Sequence, residues 1–307
     1  MKKLNIALIE PEANGGNKYN RICLVGVIAA SKLYTGFSAF KRSKQGVARW
    51  CRNIIATIAL AFLNTAGLHA ATIYVDQPGG PFAGPCTLSA AIESANNDNS
   101  ASGICEDGSG ADTIVLSFNF ALLSLLPKIN TEVTIDGGGI LRPVGLQPKF
   151  RLLEVSSSGK LTLNRVELSG GDADTEDGGA ILNDGGILNV NHSVIRNSIA
   201  RRGAGIATQN GGTTTVTSSE VYENAAGVVD LVGQFPLSGN GGGLSVIGAS
   251  TLVVDESSVT NNSATFFSSR GGGIYNENSE LDIVNSYVAE NILLPDTAGT
   301  FLSLIHI

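Results

Sequence analysis

Histidine, tryptophan and methionine are almost missing from this 307-residue chain, which has three, one and one of them. Each scarcity removes a kind of chemistry. The tryptophan is Trp50, near the N-terminus, and the later aromatics are scattered apart from Phe266-Phe267, so no row of platforms for stacking sugar rings is evident. Beyond residue 70 only His192 and His306 remain, too few for a hydrolytic cluster of paired Asp beside a histidine and a cation. Charged residues are also sparse at 15%, while glycine reaches 38. That texture belongs to tight turns and short strands, and it lacks the Ala/Glu/Lys/Leu density of a helical protein.

Charge is split along the chain. Residues 1–70 hold ten Lys/Arg and two Asp/Glu, net +8, and residues 71–307 hold ten and twenty-five, net −15, which together give the overall −7. The acidic part repels nucleic acid and anionic membranes and favours a solvated surface or cation binding. An apolar run, Ile54 to Leu63, follows Arg49 and Arg52 and leads to Leu68-His69-Ala70, with Ala71 next. Too short to span a bilayer, it reads as a signal peptide cleaved after Ala70. The first 46 residues are surplus to such a leader and read as a mis-assigned start, with Val47 as an alternative first residue. An extended signal peptide is the other reading, and the apolar run Ile22 to Ala30 has no assigned role.

Of the four cysteines, Cys23 and Cys51 precede the predicted cleavage site. Cys86 and Cys105 are left in an oxidising compartment and should pair. The bond would close a loop of about twenty residues and contribute about 3 kcal/mol in the chain-entropy picture.

From Ile181 onward the sequence repeats. Units begin at Gly178, Gly203, Gly241 and Gly271, and their apolar residues Ile181, Ile206, Leu244 and Ile274 are spaced by 25, 38 and 30. The excess length falls in one place, as in Gly227 to Asn240 and Thr265 to Arg270, which puts all insertions on one side of a solenoid. Within a unit, Gly-Gly-x-Ile, Leu-x-Val and Val-x-x-Asn read as three strands with Gly or Asn corners. The predicted fold is all-β, a right-handed parallel β-helix over 112–296. A cap over 71–111 precedes it, with one helix at Thr87 to Asn96 and a strand at Thr72 to Val75. Asn197, Asn224, Asn262 and Asn291 stand three residues after Val194, Val221, Val259 and Val288. Coils superpose about 4.8 Å apart, so these amides are expected to form a corner ladder.

Cys86-Thr87-Leu88-Ser89-Ala90-Ala91-Ile92, with Cys105 and Gly110 to Ile114, resembles the CSLREA domain that opens many bacterial secreted β-helix proteins. The family's Arg-Glu is Ser89-Ala90 here, so no role of that pair carries over. Gly178-Gly179-Ala180-Ile181 and the Val-x-x-Asn motifs resemble the repeats of the polymorphic outer-membrane protein family, whose second motif is Phe-x-x-Asn. These resemblances cover 72 to about 292 and imply a pectate-lyase-like superhelix, a secreted or outer-membrane surface location and adhesion.

The functional expectation is a non-catalytic, adhesin-like module that binds a protein or glycan on a host or neighbouring-cell surface through Phe266, Phe267 and the insertion loops. The alternative is a polysaccharide lyase or glycoside hydrolase. Its best carboxylates are Asp172, Asp174 and Asp177, with Glu176, which could hold calcium although they lack EF-hand spacing. Arg201 and Arg202 are placed to pair with this loop or with an anionic glycan. Phe266 and Phe267 either meet a partner or pack beneath their loop. His192 aligns with Ser219, Ser257 and Ser286 and reads as a surface replacement. Residues 297–307 read as a truncation, with LSLIHI (Leu302 to Ile307) resembling a translated sequencing adapter, and attachment through a missing C-terminal region is expected. A native tail packed on the last coil is the competing reading.

Overall fold

The computed structural model describes residues 70–75, 86–99, 103–229, 236–266, 268–294, 301–302 and 305–306. The leader, residues 1–46 and Phe267 therefore lie outside the described residues. The solenoid belongs to a compact unit, Gly67–Ile307.

The chain forms a parallel β-helix. Sheet A stacks eight strands in the order Thr72–Val75, Asp112–Leu116, Glu132–Asp136, Lys160–Asn164, Ile187–Asn191, Thr213–Thr217, Thr251–Asp255 and Glu280–Val284, all parallel. Sheet B stacks seven strands from Asn119–Ala121 to Tyr287–Ala289, and sheet C stacks six, beginning at Leu153–Val155. Sheet D has five, from Ile199–Ala200 to Ile292–Leu294, with Phe301–Leu302 added antiparallel. One coil runs Ile181–Asp184 in C, Ile187–Asn191 in A, Val194–Arg196 in B and Ile199–Ala200 in D. Among the described residues no helix is long and apolar enough to cross a membrane.

Alternation at period two builds the core. Leu161, Leu188, Thr214, Leu252 and Leu281 lie in one column of sheet A, and Leu163, Val190, Val216, Val254 and Ile283 in the next inward column. Most of these side chains are fully buried. Thr214 is the polar exception, and its hydroxyl is satisfied by Thr208 Oγ1 at 2.7 Å and Asn183 Nδ2 at 3.0 Å.

The repeats indicate three strands per coil, whereas the coils from Ile181 onward have four. Sheet D escapes pattern reading because its first three strands, Ile199–Ala200, Ala225–Ala226 and Ser263–Thr265, are two or three residues long and turn a single alanine inward: Ala200, Ala226 or Ala264. No run of large apolar residues marks them. They form their own small cluster with Ala173 and Ala204.

The asparagine ladder exists, with one correction. Ile195, not Val194, pairs with Val221, so Ser198 occupies the column of Asn224, Asn262 and Asn291. The Ser198 amide donates to Asn224 Oδ1 at 3.0 Å, Asn224 to Asn262 Oδ1 at 3.0 Å, and Asn262 to Asn291 Oδ1 at 2.9 Å. Asn197 falls one residue earlier, exposed, with φ of 53° at the corner itself. The same shift removes His192 from the serine column. It is Ser193 that lines up with Ser219, Ser257 and Ser286, each backbone N–H donating to the next hydroxyl at 3.0, 3.1 and 3.0 Å. His192, at φ 50°, lies in the positive-φ corner position shared with Ser218, Glu256 and Asn285.

The N-terminal cap is closed as expected. Helix α1, Leu88–Asn97, starts at Thr87, whose hydroxyl accepts from Ala90 N at 3.2 Å. Its face of Leu88, Ala91, Ile92 and Ala95 joins the main core with Ile73 and Ile114. A Cys86–Cys105 disulfide with a Cα separation of 4.9 Å ties the segment after the helix back to its start.

Candidate functional site: the loop strip between sheets D and C

From Gly178 onward each coil re-enters sheet C through a glycine followed by Gly or Ala, and this turn is where the coils differ most in length. The first glycine of each unit is obligatory. Gly178, Gly203, Gly241 and Gly271 have φ between 52° and 73°, and a Cβ on Gly241 or Gly271 would sit 2.1 Å from the carbonyl oxygen of Leu244 or Ile274. With the re-entry fixed, extra residues loop outward without disturbing the stack. The largest insertion carries its own antiparallel pair, Val228–Val229 with Pro236–Leu237. Register is recovered by parallel bridges that line up Arg202, Asn240 and Arg270.

The acidic loop lies on this strip, and its carboxylates face cations from neighbouring coils. Asp177, 8% exposed, accepts from Arg201 Nε and Nη2 at 3.0 Å each and from Arg202 Nη2 at 2.8 Å. Asp174 meets Lys149 at 2.8 Å, and Asp172 lies 4.0 Å from the same ammonium while accepting from Asp174 N at 3.0 Å. Glu176 pairs with Arg151, which also donates to Glu154 at 2.8 Å, and Glu154 takes Lys128 as well. The hydrogen bond and charge of Glu154 raise the Lys128 pKa. Five carboxylates thus face five cations.

This arrangement corrects the calcium reading of Asp172, Asp174 and Asp177. Asp172 and Asp174 share Lys149 while Asp177 takes Arg201 and Arg202, and among the described residues no group of three or more His, Cys, Asp or Glu side chains could hold a metal ion. Stacking is the cause, because charges far apart in sequence become neighbours one coil away. Pairing with Arg201 and Arg202 follows the sequence expectation. Lys149 and Arg151, in the loop before Leu153–Val155, were not anticipated, since no repeat marks that loop.

Phe266 is half-buried. Its ring lies over Gly227, where a Cβ would be 3.1 Å from Phe266 Cδ2 and 2.3 Å from Thr265 Oγ1. Its amide donates to Leu294 O at 3.1 Å, and Ser269 N returns to its carbonyl at 3.2 Å. Phe266 thus packs against its own loop while part of its ring stays exposed.

Behind the strip, Glu154, Leu182, Ala207, Ser245 and Tyr275 form one column on the outer side of sheet C, all buried. Burial raises the Tyr275 pKa, its hydrogen bond to Glu277 adds to this, and Arg270 opposes it. A phenol whose folded pKa exceeds its unfolded value stabilises the fold below pH of about 10, and that stability is lost as pH rises through the folded value. Absorbance titration should show one tyrosine ionising above the others, and Tyr275→Phe should remove that late step.

At the corner between sheets A and B a shallow groove is lined by Glu220, Glu256 and Tyr287 above the ladder serines. Ser219 and Ser257 each donate back to the carbonyl two residues earlier, at 2.7 Å, and accept from the preceding coil. Their hydroxyls are engaged in the stack, which leaves them unsuited to act as nucleophiles.

In comparisons with known proteins, no family model, no curated protein and no solved structure matches this chain.

Proposed function

We propose that this protein is a secreted, surface-exposed binding scaffold without catalysis, and that the loop strip between sheets D and C contacts a protein or glycan on a host or neighbouring-cell surface. One observation carries the reading: apart from a single residue at the corner between sheets C and A, length variation in successive coils falls at one corner, so loops of different sequence form one continuous strip on a rigid support. The oxidised Cys86–Cys105 pair supports an extracellular setting. The lyase alternative shares the architecture, but its carboxylates are engaged in ion pairs.

The test removes loop and keeps stack. Replacing residues 228–238 by a short Gly-Asn turn should weaken binding to intact cells or arrayed glycans at least tenfold, with the strand circular dichroism unchanged. Phe266→Ser, which also strips the cover from Gly227, should weaken binding less and loosen the loop. Release of unsaturated or reducing sugar ends, abolished by Asp174→Ala, would overturn the proposal in favour of a lyase.

A further inference from the structure

Asp112 is out of place for a structural residue. It opens the second strand of sheet A on the inward-facing side, in line with Ile114 and Leu116, and it is 1% exposed. Its Oδ1 accepts two backbone N–H groups, Ala71 at 2.9 Å and Ser109 at 2.8 Å. Its Oδ2 is buried with no hydrogen-bond donor among the described residues. Gly108 closes over that oxygen, since a Cβ there would lie 2.8 Å from it. Nor does any described Lys or Arg form an ion pair with the carboxylate. A carboxylate so enclosed, with half its acceptors unused, is expensive unless a cation reaches it.

One of the two nitrogens bonded to the carboxylate is that of Ala71, and the sequence marks the bond in front of it for cleavage. Ala70 is exposed, Ala71 is half-buried against the core, and the strand that follows is locked in place by Thr113 N donating to Ala71 O at 2.8 Å and by the pairing of Thr72–Val75 with Thr113–Leu116. The position of the Ala71 nitrogen is thus set by the fold and does not depend on what precedes it.

We propose that Ala71 is the N-terminal residue of the working protein and that its α-ammonium forms a buried ion pair with Asp112. A signal peptidase hydrolyses the Ala70–Ala71 amide. Water adds across the bond, Ala70 departs with a carboxylate, and the freed amine of Ala71 takes up a proton. An amide nitrogen has a single hydrogen, which Oδ1 already takes, whereas an ammonium has three and brings the charge that Asp112 lacks. Removal of the leader then does more than release the chain: it completes the N-terminal cap, joining the first strand to the Asp112 rung.

Export of the full chain by a bacterial host, followed by N-terminal sequencing, should find Ala71 first; another first residue overturns the proposal. In the exported protein Asp112→Asn should lower Tm by about 5 °C or more, and in the uncleaved chain made in an oxidising cytoplasm it should lower Tm by less than about 2 °C. Equal losses in both would show that Asp112 merely accepts an amide, and would sink the ion pair. Should Asp112→Asn fail to accumulate, the unaltered protein decides. At pH 8 its α-amine should react with an amine-directed acylating reagent at least tenfold more slowly in the native state than after unfolding, as read on the N-terminal peptide, and equal rates would refute the pairing.

Discussion

Asn262→Ala is expected to cost about 3 kcal/mol of unfolding free energy, lowering Tm by roughly 6–12 °C, while Asn197→Ala costs about 1 kcal/mol or less. The contrast follows from one residue of register. Asn262 is fully buried, its Oδ1 accepts from Asn224 N and Nδ2 at 3.0 Å each, and its Nδ2 donates to Val221 O at 2.9 Å and Asn291 Oδ1 at 3.0 Å. Alanine leaves the Asn224 amide and the Val221 carbonyl without these partners inside a closed corner, each such loss costing about 1–3 kcal/mol. Not every group is orphaned. Asn224 Nδ2 retains Ile195 O and Tyr222 O, and Asn291 Oδ1 retains the residue 262 amide, so the lower half of the possible range applies. Asn197 is exposed, and its replacement by alanine costs chiefly the strain of a positive φ. Thermal unfolding of the two variants measures the difference, and comparable losses would mean that the ladder does not hold the corner.

That single residue also shows what the sequence carried and where it was ambiguous. Glycine pairs and Leu-x-Val runs located the coils, and the 25, 38 and 30 spacings of Ile181, Ile206, Leu244 and Ile274 match the observed pairing of those residues. The position of the insertions was legible for the same reason. In the first unit, however, Val194 and Ile195 are adjacent β-branched residues, so hydrophobicity fits two registers that differ by one. The serines settle it. Ser193, Ser219, Ser257 and Ser286 each precede the inward residue by two positions, and aligning on them places Ile195 with Val221, Val259 and Val288. Ser198 then takes the asparagine column, where its side chain is too short to continue the amide contacts but its backbone still donates.

The charged strip was harder to read. Arg201 and Arg202 follow their acids within one coil length, whereas Lys149 and Arg151 lie in an irregular loop before the regular repeats begin, where sequence offers no register with which to place them. A solenoid brings together residues about one coil apart, so an acidic run means little until the cations above and below it are known. Asp172, Asp174, Glu176 and Asp177 resembled a cation site because the sequence displays them together and hides their partners.

Reduction of the Cys86–Cys105 bond, or Cys86→Ser with Cys105→Ser, should destabilise the N-terminal end by about 3 kcal/mol and leave the far end of the stack almost untouched. The bond spans a separation of 19 residues and encloses α1, which lays Leu88, Ala91, Ile92 and Ala95 over the first rungs. Without it the unfolded segment regains loop entropy, and the helix, ten residues long, is too short to persist without its packing. Side-chain anchors would remain, two of them through Asn96. Asn96 Nδ2 donates to Lys128 O at 2.7 Å, and Asn130 N donates to Asn96 Oδ1 at 2.8 Å. Both are exposed, so they compete with water and contribute less than the covalent tie. Because each coil contacts chiefly its neighbours, the loosening should fade along the axis. Hydrogen exchange followed by mass spectrometry should then show faster exchange in Thr72–Val75 and Asp112–Leu116, with Thr213–Thr217 and Thr251–Asp255 protected as before. Uniform acceleration through all four strands would mean that the stack unfolds as one unit and that the cap governs the stability of the whole solenoid.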